Sequence, residues 1–154
     1  MTDAEPLTDF PLFAGLSDTQ RSLVAQTARD VEFAAGTVLF DEGEPAYGCW
    51  LIRSGRVSLA TSVPGRGQVV VQTLGAGEIL GWSWLVSPRL WHLTATAVAE
   101  TTAIELDTER LRVLAEQDPA LGYPLALGLF EVLLVRLQST RARLLDLYGS
   151  PRER

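Results

Sequence analysis

The sequence holds one cysteine, one histidine and fewer basic than acidic residues, and each shortage removes a class of function. Cys49 alone cannot make an intramolecular disulfide or a multi-cysteine metal site. Flanked by Gly48 and Trp50, it reads as a small buried strand residue rather than a redox group. His92 alone cannot supply a multi-histidine metal site within one chain. No Ser-His-Asp spacing or phosphate-gripping Gly-Lys motif accompanies it, so catalysis is not expected. Glu42 and Glu44 read as a solvated turn rather than an acid and base pair. Lys plus Arg number 13 against 19 Asp plus Glu, a formal charge of -6 that repels a polyanion, so direct nucleic-acid binding is not expected either. Apolar stretches such as Phe130 to Val135, itself interrupted by Glu131, fall short of the roughly 20 residues of a membrane span. The N-terminus lacks the basic start of a signal peptide, and a cytoplasmic location follows as the expectation. There is no internal repeat, low-complexity tract or dividing linker.

What remains is ordinary globular material: 154 residues, 47% apolar and 21% charged, enough for one core. Residues 1–149 are expected to form one domain, with 150–154 as a disordered tail. An apolar plug at Leu7, Phe10, Leu12, Phe13 and Leu16 precedes a helix capped by Ser17 or Asp18 and ending near Arg29. From about 31 to 107 the texture is β-branched and aromatic, with strands expected at 31–34, 37–41, 48–52, 56–61, 68–74, 93–99 and 102–106. Gly36, Gly43, Gly55, Gly65, Gly75 and Gly77 separate them at turn spacing. The pattern predicts a mainly β fold with flanking helices, a small barrel or jelly roll.

After Asp107 the period is helical, with a short helix broken at Asp118-Pro119 and a long one running to about Tyr148. Within it Ala126, Phe130, Leu133, Leu137, Thr140, Leu144 and Leu147 alternate spacings of four and three, the seam of a heptad coiled coil. A second stripe, Leu121, Leu125, Leu129 and Val132, points elsewhere. One stripe is expected on the barrel and the other on a second copy, giving a homodimer; a single wide stripe on one core is the alternative.

Several local stretches carry a resemblance. Phe13-Ala-Gly-Leu-Ser17, Gly36-Thr-Val-Leu-Phe-Asp-Glu-Gly-Glu44 and Trp50-Leu-Ile-Arg-Ser-Gly-Arg-Val57, placed before one long helix, resemble the cyclic-nucleotide-binding domain of the Crp-Fnr regulator superfamily. The resemblance implies a double-stranded β-helix (jelly roll) barrel with a C-terminal dimerisation helix. It also implies a ligand cassette running from Gly77 to Leu85 and from Pro88 to Ala97, in which a short helical turn after Gly81 presents N–H groups to a phosphate.

The family's cassette has a Glu after that Gly to bond the ribose and an Arg before the next strand to pair with the cyclic phosphate. By alignment Trp82 stands at the first position and Trp91 at the second. Losing a charge-assisted Arg–phosphate contact, with two indoles filling space, argues against tight binding of cAMP or cGMP. Arg89 reads as a solvated loop residue, or as one that a loop shift brings to a phosphate. His92 reads as an edge residue or a ligand contact, and Glu78 as pointing outward. Arg136 matches a residue that normally faces the cassette Glu and could stack on Trp82. Thr140 matches a base-bonding Thr, or fixes the register of the seam.

The candidate ligand-binding set is therefore Gly81, Trp82, Ser83, Trp84, Leu85, Arg89, Trp91, His92, Leu93, Thr94, Arg136 and Thr140, with no metal site and no resident cofactor expected. Four functions compete. They are a sensor for a cyclic nucleotide, small anion or apolar metabolite, a ligand-free dimeric module acting on a partner protein, a transcription regulator, and an enzyme. Family regulators carry a helix-turn-helix after the long helix, and none is read here before Arg154.

Overall fold

The computed structural model describes residues 5–149, so the expected tail at 150–154 lies outside the described residues. Two 3₁₀ turns, Glu5–Asp9 and Pro11–Phe13, precede helix α1, Asp18–Ala25. The Ser17 hydroxyl accepts from Gln20 N at 3.2 Å, and the Gln20 side-chain oxygen accepts from Ser17 N at 2.8 Å, so two otherwise unpaired donors are satisfied reciprocally. α1 stops short of the expected Arg29. Ala28–Phe33 instead form strand β1, paired residue by residue with the last strand.

Strands β2 (Val38–Phe40), β3 (Cys49–Ser54), β4 (Val57–Val63), β5 (Gly67–Leu74), β6 (Ile79–Leu80), β7 (Thr94–Ala97) and β8 (Thr101–Leu106) complete the barrel. Two antiparallel sheets form, in the orders β1-β8-β3-β6 and β2-β7-β4-β5. β6 was not anticipated: it is two residues paired with Trp50 and Leu51 of β3, too short to leave a sequence signal. The expected strand at 93–99 contracts to β7.

Alternation along the first sheet sets up two cores. Cys49, Leu51, Ile104 and Leu106 turn to one face, where Phe13, Val24, Leu111 and Leu121 pack on them from the helices. Trp50, Ile52 and Ala103 turn to the other face, toward Val57, Leu59, Leu74 and Ala95 of the second sheet. The second core is the barrel interior.

Asp107 caps helix α2, Thr108–Gln117, its carboxylate accepting from Arg110 N at 3.2 Å. Helix α3, Pro119–Gly149, contains Pro124, which has no N–H to give the carbonyl of Ala120. Gln20 Nε2 donates to that carbonyl at 2.9 Å, so the residue that closes the α1 cap also mends α3. Leu121, Leu125 and Leu129 are buried against the body. Phe130, Leu137 and Leu147 on the far face are 59%, 59% and 78% exposed. Farther along, Arg143 Nη2 donates to Val71 O on β5, fastening α3 to the second sheet. By length and composition α3 is apolar enough to cross a membrane, with mean hydropathy 1.6 over its most apolar 18-residue window, which reading run by run missed. A helix with one face on its own core and another covered by a second helix has the same composition.

Candidate functional site

The middle of the cassette hangs between β6 and β7, and Gly81, the first residue after β6, shapes it. Gly81 has φ +97, and a Cβ there would lie 2.9 Å from the carbonyl oxygen of Gly48 and 3.1 Å from the Trp91 ring. Only a residue without a side chain lets the indole of Trp91 come this close. The expected helical turn after Gly81 is absent. Leu85 N donates to Trp82 O at 3.3 Å, and the indole Nε1 of Trp84 donates to Gly81 O at 3.0 Å. A helix would send the Leu85 N–H to the Gly81 carbonyl; the indole has taken that acceptor, and a single tight turn results.

Trp91 points into the barrel and is 5% exposed. Its ring lies on Phe40 with centroids 3.7 Å apart and planes 11° from parallel, and Trp50 stands 5.7 Å from Phe40 and 6.1 Å from Trp91. Three aromatic rings therefore occupy the mouth of the barrel. The space left beside Phe40 and Trp91 is about 30 Å³, lined by Phe40, Leu59, Leu80, Gly81, Trp82, Ser83, Trp91, His92 and Leu93. That holds about one water molecule. None of those nine residues is an acid, a lysine or an arginine.

Six of the predicted residues thus meet at one cavity: Gly81, Trp82, Ser83, Trp91, His92 and Leu93. His92 is exposed at the rim, while Trp82, Ser83 and Leu93 are half-buried. Thr94 lies beside them on β7 with its hydroxyl accepting from Glu42 N at 3.0 Å. The Glu42 carboxylate accepts in turn from the Thr61 hydroxyl at 3.1 Å and Ser62 N at 3.2 Å, so the exposed turn is as expected and is also a hydrogen-bonded clasp.

The other candidates lie elsewhere. Trp84, 2% exposed, crosses to the helix-side core, with Leu85 half-buried against the same cluster. Arg89 turns away from the cavity: its φ is +56, its Nε donates to Trp84 O at 3.1 Å, and its carbonyl accepts from Ala46 N at 2.7 Å. It holds the outer wall of the loop. Thr140 is exposed on α3. Glu78 is exposed and accepts from Gly75 N at 2.9 Å.

Arg136 is buried, with its guanidinium carbon 4.6 Å from the centroid of the Trp82 ring. Its Nη2 donates to Ile79 O, and its Nη1 has no hydrogen-bond partner. Burial lowers its pKa from the ordinary value, opposed by the negative charge of Glu78 and then by Cys49. Cys49, wholly buried nearby, has its thiol pushed up to about 12, chiefly by burial.

Sequence reasoning missed Phe40 as a wall of the cavity and Trp50 as the ring packed behind it. Phe40 lies within the Gly36–Glu44 hairpin and Trp50 at the start of the Trp50–Val57 turn, but neither carries the charge that draws attention to a ligand contact. Among the described residues no group of three or more His, Cys, Asp or Glu could hold a metal ion.

Comparison with known proteins accords with this fold. The family model for the cyclic nucleotide-binding domain matches residues 30–118. A CRP-like cAMP-activated global transcriptional regulator of Mycobacterium tuberculosis is 26% identical over 136 residues, covering 88% of this chain and 59% of its own length. This chain therefore spans about six tenths of that relative. A solved protein from Geobacter metallireducens, named for cyclic nucleotide binding, superposes with TM-score 0.81 at 29% identity over 89% of this chain and 99% of its own. The catabolite activator protein of Thermus thermophilus superposes at 0.69 with 27% identity, over 90% and 63%.

Proposed function

Because this chain belongs to the cyclic nucleotide-binding domain family, we propose that it is a non-catalytic, cytoplasmic regulatory domain whose nucleotide site is filled by its own aromatic side chains. One observation carries the reading: Trp91 stacks on Phe40 inside the barrel and leaves about 30 Å³, where small-molecule sites usually offer several hundred. The electrostatics support it. The cavity wall has no cation for a cyclic phosphate, Arg89 is spent on the Trp84 carbonyl, and Arg136 is spent on Trp82 and Ile79. Residues 1–149 act as one domain, and its working surface is assembly, a homodimer through Phe130, Leu133, Leu137, Thr140, Leu144 and Leu147 that signals to a partner protein rather than to nucleic acid. The relatives favour a second reading, in which this chain corresponds to the sensor half of a transcription regulator, since it matches 59% of a regulator so named.

Titration calorimetry with cAMP and cGMP tests the closed site. The expected result is no saturable heat for the native protein at micromolar concentrations, and recovered binding in the double variant Trp82→Glu, Trp91→Arg, which returns a ribose acceptor and a phosphate partner. Micromolar binding by the native protein would show that the rings move aside, and the closed-site reading would fall.

A further inference from the structure

The cassette and α3 enclose a second, larger space. This apolar groove, about 350 Å³, has helix walls at Ala126, Leu129, Phe130 and Leu133 and cassette walls that include Trp82, Val86 and His92. The four helix residues are spaced three, one and three apart. With Phe130 written as heptad position a, they are d, g, a and d, the four-residue hole that receives an a-position knob from a parallel partner helix. We propose that Phe130 of a second copy of this chain enters this groove and packs on the cassette over Trp82. The inference rests on the homodimer proposed above and adds to it: the partner side chain completes the wall of the site.

Three features on this helix support that occupant. The g positions Leu129, Arg136 and Arg143 are turned toward their own barrel, the first two buried and the third bonded to Val71 O, so the hole opens beside the cassette rather than into solvent. Ala126 is a small wall, which leaves the hole deep enough for a large knob. Phe130 is the one aromatic residue of the seam between Ala126 and Leu147, and at 59% exposure its ring is uncovered in the single chain. A leucine at that position would fill a two-helix seam; a phenyl ring reaches beyond it. The consequence is mechanical: dimerisation presses on Trp82 and, through the cation–π contact, on Arg136.

The native protein supplies its own reporter. Trp50, Trp84 and Trp91 are buried and only Trp82 is half-exposed, so acrylamide quenching of indole emission reports mainly on Trp82. Quenching is measured across a dilution series in parallel with sedimentation velocity, and p-benzoylphenylalanine placed at position 130 is photolysed in the dimer and its cross-links mapped by mass spectrometry. The expected result is a quenching constant at least twofold lower in the dimer than in the monomer, and a covalent dimer joining position 130 to the cassette peptide of the other chain. A dimer whose Trp82 stays equally quenchable, or whose cross-links reach only α3, would overturn the knob while leaving the seam. A protein monomeric at every concentration would overturn both.

Discussion

Cys49 shows how much one buried side chain can tie stability to pH. Burial pushes its thiol pKa up from an ordinary value of 9.0 to about 12, because it disfavours the thiolate more than the Trp84 indole and Arg136 can favour it. A folded-state pKa raised above the unfolded one gives stability that is whole below pH 9 and is lost as pH rises toward 12. The loss is on the order of 1 kcal/mol per pH unit in that window. In Cys49→Ala the cavity cost is constant with pH, so the stability gap between the native protein and this variant should narrow above pH 9. Urea unfolding at pH 7, 9 and 10.5 measures it, and parallel curves would remove the linkage. At this scale the sequence was informative about type and weak about direction. Trp82 and Trp91 were readable as residues of one cavity because the glycine-bounded cassette fixes their place in the chain. That Trp84 turns to the opposite core, or that Arg89 turns outward, depends on which backbone carbonyl captures an indole or a guanidinium, and no local pattern encodes that choice.

Between elements, the amide of Gln20 joins two helices that are 100 residues apart in the chain. Its oxygen closes the α1 cap and its nitrogen supplies the donor that Pro124 withholds from the Ala120 carbonyl. Gln20→Glu separates the two roles, since Glu serves equally well in a capping box but cannot donate. It should destabilise the protein by about 1 kcal/mol, the net value of one hydrogen bond, with added repulsion between carboxylate and carbonyl. A urea midpoint unchanged from the native one would mean that the link contributes nothing. The cap itself was legible, as was Asp107 at the head of α2, because capping is local chemistry within four residues. The end of α1 was not: Gln26 to Arg29 carry no stop signal, and the chain leaves the helix only because β8 offers Ala28–Phe33 a full register of partners. β6 failed for the same reason on a smaller scale, since a two-residue strand exists only through its neighbour.

The whole molecule has an unbalanced helix. The barrel-facing stripe of α3 is satisfied by the helix-side core as far as Arg136, and beyond it Arg143 donates to Val71 O, while Leu137, Leu144 and Leu147 are 59%, 50% and 78% exposed. A helix end with so little intramolecular support draws its stability from whatever covers those leucines. If a second copy covers them, part of the folding free energy is association free energy, and the melting temperature must rise with protein concentration. Leu137→Glu places a charge at the a position that follows Phe130, where two copies would bring two carboxylates together in an apolar seam. That variant should raise the dimer dissociation constant at least tenfold, equivalent to about 1.4 kcal/mol, lose the concentration dependence of melting, and show less helical circular dichroism as the last turns of α3 fray. The barrel should be indifferent, because residue 137 lies outside both cores. A Leu137→Glu protein that melts like the native one at every concentration would mean that the exposed leucines are covered by nothing, and the seam would lose its support.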